Sequence, residues 1–286
     1  MTQGPAVYVL GSASNDTNVD LVREWRRLGL NATLSSPFEA TLEQGDVAVG
    51  RLDVLPTLDG VEAGLLELLW LERRGRRVLN PTAALLAVHD KLLTARRLAT
   101  AGLPHPHAAG FRGDGELPLE PPLVLKPRFG SWGRDVFRCR DRTELERTLT
   151  AVHARPWFRR HGALLQELVP SPGHDLRLIV AGGEVVGASE RVAAPGEWRT
   201  NVSLGGSLRP AEPPPGTQAL AIAAAAAVGA DLVGVDLMPL DGDRSVVLEL
   251  NGAVEFDERY SLAGRDIYLE AARALDLCSR AEQLVL

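Results

Sequence analysis

The chain has 286 residues, and 31 Lys plus Arg against 37 Asp plus Glu give a formal net charge of −6. Hydrophobic residues at 45% and charged residues at 24% match a globular protein and exclude a disordered, collagenous or disulfide-scaffold chain. The acidic balance argues against bulk nucleic-acid binding. No apolar run reaches the roughly 18 residues of a membrane span. The opening MTQGPAVYVLGSASND lacks the basic start and apolar core of a secretion signal. Cys139 and Cys278 share no motif spacing, so the expected compartment is a reducing cytoplasm.

Residues 6–10, AVYVL, read as a buried strand ending at Gly11. Leu21, Trp25 and Leu28 then recur at helical spacing, and Gly29 supplies a stop. A strand at 47–50, a helix over 61–74 and a strand at 76–80 complete a small open α/β unit with a parallel sheet. A helical stretch from Pro81 to Ala101, broken near His89–Asp90, leads to a change of pattern. PLVLKP, VFRCRD, ALLQELV and DLRLIVAGGEVVGASERV follow as strands, with one helix at 143–152 and a hairpin turn at Gly182–Gly183. A Pro- and Gly-rich loop over 193–216 precedes a helix near 217–228, the strands LVGVDLMPL and SVVLEL with a turn at DGDR, and a last helix over 264–277. The second part is therefore mixed α+β with antiparallel hairpins.

The hairpin over 232–251 carries the clearest chemistry. Side chains alternate along a strand, so Val247, Glu249 and Asn251 are expected on one face. Leu232, Gly234, Asp236 and Met238 are expected on one face of its neighbour. Asp236 then lies near Glu249 and Asn251, an oxygen set that suits magnesium held jointly by carboxylates and phosphates. Lys126 leaves the strand LVLK toward a loop in which Gly130 and Gly133 let backbone amides approach an anion. Lys91 lies at the helix break. LLQELVP, Arg177, Arg191, Arg199 and Asn201 are weaker candidates, each as easily a plain strand or a surface side chain. Other chemistries fail on content: the chain has no G-x-x-x-x-G-K-[ST], no G-x-G-x-x-G after the first strand and no G-x-S-x-G. Its six histidines form no H-x-x-x-H pair.

The order of these elements resembles the ATP-grasp ligases. It runs from a lysine ahead of a Gly-Leu-Pro stop through Lys-Pro with its glycine loop, QELV, DLR and WRTN with LGG, to Asp and E-x-N. Within that superfamily the chain is similar to the RimK/LysX group, which joins a carboxylate to an amine. SPGHDLRLIV and GEWRTNVSLGG look most like the LysX type. The resemblance covers nearly the whole chain. It implies an α+β ATP-grasp fold, with a small N-terminal α/β domain at 1–85, a central subdomain at 86–160 and a C-terminal subdomain at 161–286 clasping ATP.

It also implies roles. Lys91 and Lys126 hold the phosphates, and the loop from Phe129 to Arg134, with Gly130, Ser131, Trp132 and Gly133, closes over them. Gln166, Glu167 and Val169 meet the adenine, and His174 or Asp175 the ribose. Asp236, Glu249 and Asn251 bind two magnesium ions, with manganese able to substitute. Arg177, Arg191, Arg199 and Asn201 surround the transferred phosphoryl group and the carboxylate. The implied reaction forms an amide through an acyl phosphate. It joins an amino acid such as α-aminoadipate or glutamate to the C-terminal glutamate of a small acidic carrier protein, in lysine- or arginine-type biosynthesis, with an arginine-rich rim at Arg191 and Arg199 attracting that partner. A RimK-type glutamate ligase acting on a protein C-terminus, a small-molecule peptide ligase and a non-catalytic nucleotide-binding module are the alternatives. The family suggests a homodimer or homotetramer, with no nucleic-acid or membrane partner. One segment departs from the group: Gly252 and Ala253 stand where LysX-like chains carry a threonine-containing segment, while Glu255-Phe256 remains.

Overall fold

The computed structural model describes residues 4–240 and 244–278. It begins with a parallel sheet in the order β2-β1-β3-β4. The strands are β1 (Ala6–Leu10), β2 (Asn31–Ser35), β3 (Val47–Gly50) and β4 (Arg77–Leu79). Two helices accompany it, α1 (Asp16–Arg27) and α2 (Leu65–Arg73). Asn15 caps α1 by accepting from the Asn18 backbone N–H, and Leu21, Val22 and Trp25 bury the inner face. β2, NATLS, escapes a sequence reading because it alternates polar and small residues without an apolar run.

The predicted helix break is present. α3 (Thr82–His89) and α4 (Lys91–Thr100) meet at Asp90, whose carboxylate caps α4 by accepting from the Leu92 and Leu93 backbone N–H groups. An antiparallel sheet follows in the order β5-β8-β6-β7, built from β5 (Ala108–Phe111), β6 (Leu123–Pro127), β7 (Phe137–Cys139) and β8 (Ala163–Glu167). α5 (Arg142–Val152) and α6 (Pro156–His161) lie between β7 and β8.

The last sheet runs β11-β10-β9-β12-β13, all antiparallel. Its strands are β9 (His174–Ala181), β10 (Glu184–Val192), β11 (Ser207–Pro210), β12 (Leu232–Pro239) and β13 (Ser245–Asn251). The helices α7 (Pro215–Val228) and α8 (Ile267–Ala274) complete the fold. The predicted turn at DGDR lies largely outside the described residues. Among the described residues no helix is long and apolar enough to cross a membrane.

Two sets of contacts cross the expected subdomain limits. β8 lies beyond residue 160 yet hydrogen-bonds between β5 and β6, so the central sheet extends to Glu167. Residues of α3 and α4 pack with the last sheet: Ala87, Val88 and Leu98 share a core with Leu178, Val233, Val247 and the alanines of α7. The alanine run of α7 is thus explained by close helix-on-sheet packing.

The opposite face of the last sheet positions the site. Alternation puts Ile179 on the same face as Asp175 and Arg177. Ile179 joins Val9, Trp25, Tyr260 and Tyr268 in a core that fuses the N-terminal sheet to this face. Trp25 Nε1 donates to the Tyr268 carbonyl at 3.1 Å. Asn80 is buried and bonds Asp231 and Leu232 through their backbones. The N-terminal unit is therefore anchored against the sheet that carries the acidic residues.

Candidate active site

One face of the last sheet gathers the charges. The registers set Asp236 of β12 opposite Arg177 of β9 and Glu249 of β13, and Asp175 opposite Arg191 of β10. A bulge between Asp236 and Leu237 changes the expected hairpin. Leu237 pairs with Val247 and Asp236 with Glu249, so Leu248 is the extra residue. Val247 therefore turns into the apolar core, off the face of Glu249 and Asn251 where simple alternation had placed it. Asp236, Glu249 and Asn251 do converge, with Asn251 Nδ2 at 3.5 Å from Asp236 Oδ2.

Asp236 is 1% exposed and bridges two guanidinium groups. Arg177 meets it bidentately at 2.7 and 2.8 Å, and Arg191 Nη2 reaches Oδ2 at 2.8 Å. Burial works against the Asp236 carboxylate, but Arg177 and Arg191 outweigh it and hold the carboxyl well below its usual range. Glu249 Oε2 lies 3.2 Å from Lys91 Nζ and 3.9 Å from Lys126 Nζ. Burial would raise its carboxyl, and the two ammonium groups win, lowering it. Lys126 shows the reverse balance: burial pushes it down to about 8 against the pull of Glu249.

The cleft between this face and the central sheet is lined by Lys91, Lys126, Gly130, Ser131, Gly133, Gln166, Glu167 and Val169. Its apolar walls are Val124, Leu168, Met238 and Leu248; Met238 was expected on the face of Asp236, and the other three read as plain strand residues. Only the bulge explains why Leu248 faces the cleft. A second cavity of about 540 Å³ adjoins it, and Ser131, Arg191, Asn201 and Glu249 line both. Those four mark the junction where one ligand would meet another.

Four candidates have partners or places that the sequence does not show. His174 lies outside the lining of both cavities, 4.0 Å from Glu190. Asp175 spends its oxygens on Arg191 at 2.7 and 2.6 Å and on Thr200 Oγ1 at 2.6 Å, so it orients Arg191. Arg191 is 4% exposed and belongs to no rim. Arg199 is held by Glu197 at 2.8 Å, a partner the sequence reading missed, and donates to the Gly133 carbonyl at 2.9 Å.

The glycine loop is pinned from two sides. Lys91 Nζ donates to the Gly130 carbonyl at 2.8 Å, and Ser203 Oγ to that of Trp132 at 3.1 Å. Arg128 ion-pairs with the capping Asp90, tying the loop's entry to α4. Gly133 has a φ of +66°, and a Cβ there would stand 2.6 Å from Asn201 Oδ1. Gly133→Ala is expected to raise the KM for ATP about tenfold, because a side chain is strained at this φ and displaces Asn201. Steady-state kinetics with ATP varied would check it; an unchanged KM would show that the loop does not touch the nucleotide.

The donor set fits a magnesium–polyphosphate ligand. Among the described residues no group of three or more His, Cys, Asp or Glu forms an all-protein metal cage. Two carboxylates and a carboxamide beside buried lysines instead suit an ion that completes its shell with phosphate oxygens. Lys126 adds a pH signature. A polyphosphate favours its charged form, so binding takes up protons near pH 8 and affinity falls as pH rises through about 8. Calorimetry in buffers of different ionisation enthalpy should show that uptake in the wild type and its loss in Lys126→Met.

Comparison with known proteins decides the family. A model of the RimK-like ATP-grasp domain matches residues 112–275, more than half of the chain. The chain belongs to the RimK-like ATP-grasp family. It is 30% identical over 226 residues to glutamate--LysW ligase ArgX of Sulfurisphaera tokodaii, covering 77% of this chain and 78% of that protein. It is 32% identical over 218 residues to human beta-citrylglutamate synthase B, covering 72% of this chain and 55% of the relative. The chain thus spans about half the length of that curated relative. A solved RimK domain ATP-grasp protein from Sphaerobacter thermophilus superposes with a TM-score of 0.67 at 20% identity, over 94% of this chain and 98% of that one. The ATP-grasp fold read from the motif order is the fold of this family.

Proposed function

We propose that this protein is an ATP-dependent carboxylate–amine ligase that forms an amide through an acyl phosphate, releasing ADP and phosphate. The observation that carries the reading is the junction of the two cavities. Lysines and carboxylates suited to a magnesium nucleotide lie on one side, and a separate 540 Å³ chamber opens on the other. Two magnesium ions, bound with ATP, would neutralise charge as the γ-phosphoryl group moves. Lys91 and Lys126 hold the phosphates, and Arg177, Arg191 and Asn201 hold the carboxylate being primed. Gln166, Glu167 and Val169 meet the adenine. The loop from Phe129 to Arg134 excludes water, which would hydrolyse the intermediate.

For the carboxylate we propose the C-terminal glutamate of a small acidic carrier protein, in an amino-acid biosynthetic route of the lysine or arginine type. The name of the Sulfurisphaera relative supports this. The attracting arginines are Arg134 and Arg155, which line a neighbouring groove of about 350 Å³ with Arg199. A homodimer or homotetramer is the proposed assembly. For the amine, the resemblance favours glutamate or α-aminoadipate; the charges of the larger cavity favour another class.

ADP release should require both a carboxylate and an amine. Hydroxylamine, a small amine surrogate, should trap the acyl phosphate of a Glu-terminated acidic peptide as a hydroxamate. Phosphate release independent of any carboxylate would sink the ligase reading.

A further inference from the structure

The larger cavity carries negative charge that the nucleotide chemistry leaves unused. Its three arginines are committed elsewhere: Arg177 and Arg191 are ion-paired with Asp236 and Asp175 here and are the groups proposed to take the primed carboxylate once Asp236 turns to magnesium, and Arg259 is paired with Asp257. Asp20 on the same wall is taken by Arg23 at 2.6 Å. Asp16, Asp53 and Glu255 also line the cavity and have no ion-pair partner among the described residues. They arrive from three places: the first turn of α1, the loop after β3 and the segment after β13. Glu255 and Asp16 are exposed and Asp53 is half-buried; partial desolvation, Asp53 and Asp16 raise the Glu255 carboxyl, and Arg177 and Arg51 oppose that rise without cancelling it. Arg51 is fully buried outside the lining and gives Nε to Asn18 and Nη2 to the Val254 carbonyl.

A second observation points to a ligand in the same chamber. Tyr260 is 4% exposed and lines the cavity, yet its phenol has no hydrogen-bond partner among the described residues. The hydroxyl is not sealed in the core but opens to the cavity, where it can still take a partner. A phenol open to the same cavity offers a guest a hydrogen bond, while Asp16, Asp53 and Glu255 offer it counter-charge.

Resting on the ligase reading above, we propose that the amine substrate carries a second positive charge, as a diamine or a basic amino acid does, with its ammonium groups on Asp16, Asp53 and Glu255 and a polar group on Tyr260. A glutamate-like amine would bring its side-chain carboxylate against three unpaired carboxylates, whereas a second ammonium group is complementary to them. The N-terminal unit thereby acquires a purpose, because two of the three acids belong to it.

The test is calorimetry on the full chain with magnesium and a non-hydrolysable ATP analogue, titrated with L-lysine, 1,5-diaminopentane or L-glutamate. Lysine and diaminopentane are expected to bind at least tenfold more tightly than glutamate. Glu255→Gln and Asp53→Asn should each weaken them about tenfold and Tyr260→Phe about fivefold for lysine, with affinity for the analogue unchanged. Glutamate binding as tightly as lysine, or variants that leave amine affinity unaltered, would overturn the proposal. Hydroxamate trapping separates the two readings. If hydroxamate forms and is suppressed by glutamate but not by lysine, the amine class is wrong and the ligase stands. If none forms, the ligase reading falls and this inference with it.

Discussion

Glu249→Gln is expected to lower turnover by about 10³-fold while the protein remains folded. Glu249 is the carboxylate that faces both buried lysines, at 3.2 Å from Lys91 and 3.9 Å from Lys126, and it lies opposite Asp236 in the strand register. Glutamine keeps the shape and one oxygen but removes the charge that would hold a metal beside the phosphates. The fold survives because the site can shed a charge: Lys126 already sits at about 8, and neutralising such a group at pH 7 costs only about 1.4 kcal/mol. Steady-state ADP release at several magnesium concentrations, with circular dichroism as the folding control, checks this. Turnover within threefold of wild type would remove Glu249 from the site.

Asp236→Asn should act on stability as well as on turnover. The carboxylate is buried between Arg177 and Arg191, and the variant leaves Arg177 without its carboxylate partner and Arg191 with Asp175 alone. Breaking such a buried pair costs about 3–5 kcal/mol, which lowers the melting temperature by on the order of 10 °C in a chain of this size. The pH dependence has a definite sign. The folded carboxyl lies below its unfolded value near 4. Its contribution is therefore fully present above about pH 4 and lost as pH falls toward the folded value. The wild type should lose stability in that acid window, and the variant should lack that part of the slope. Thermal melts from pH 7 down to pH 3 read both effects. An unchanged melting temperature at pH 7 would show that the bridge contributes nothing.

Much of this site was legible because strands alternate. Asp236, Glu249 and Asn251 could be placed together from VGVDLM and LELN, since two buried-looking strands with acids at even spacing must aim those acids at one face. Lys126 and the glycine loop could be recognised for the same reason: a strand end followed by glycines is an anion site in waiting. The bulge was not legible. One unpaired residue, Leu248, reverses the faces of everything before it, and no composition signal marks it. Partners were equally hidden. Asp175 and Arg191 sit 16 positions apart and meet only because β9 and β10 pair in one register. The acids of the larger cavity come from positions 16, 53 and 255, a grouping that depends on how the N-terminal sheet docks through Trp25 and Asn80.

The central claim is that the carboxylates now locked on cations exchange them for a magnesium nucleotide in the cleft. A crystal structure of the protein with an ATP analogue and magnesium tests this most directly. The account predicts Asp236 and Glu249 oxygens on the metal, with Lys91 and Lys126 on the phosphates beneath the glycine loop. A triphosphate bound elsewhere, with Asp236 still bridging Arg177 and Arg191, would contradict it.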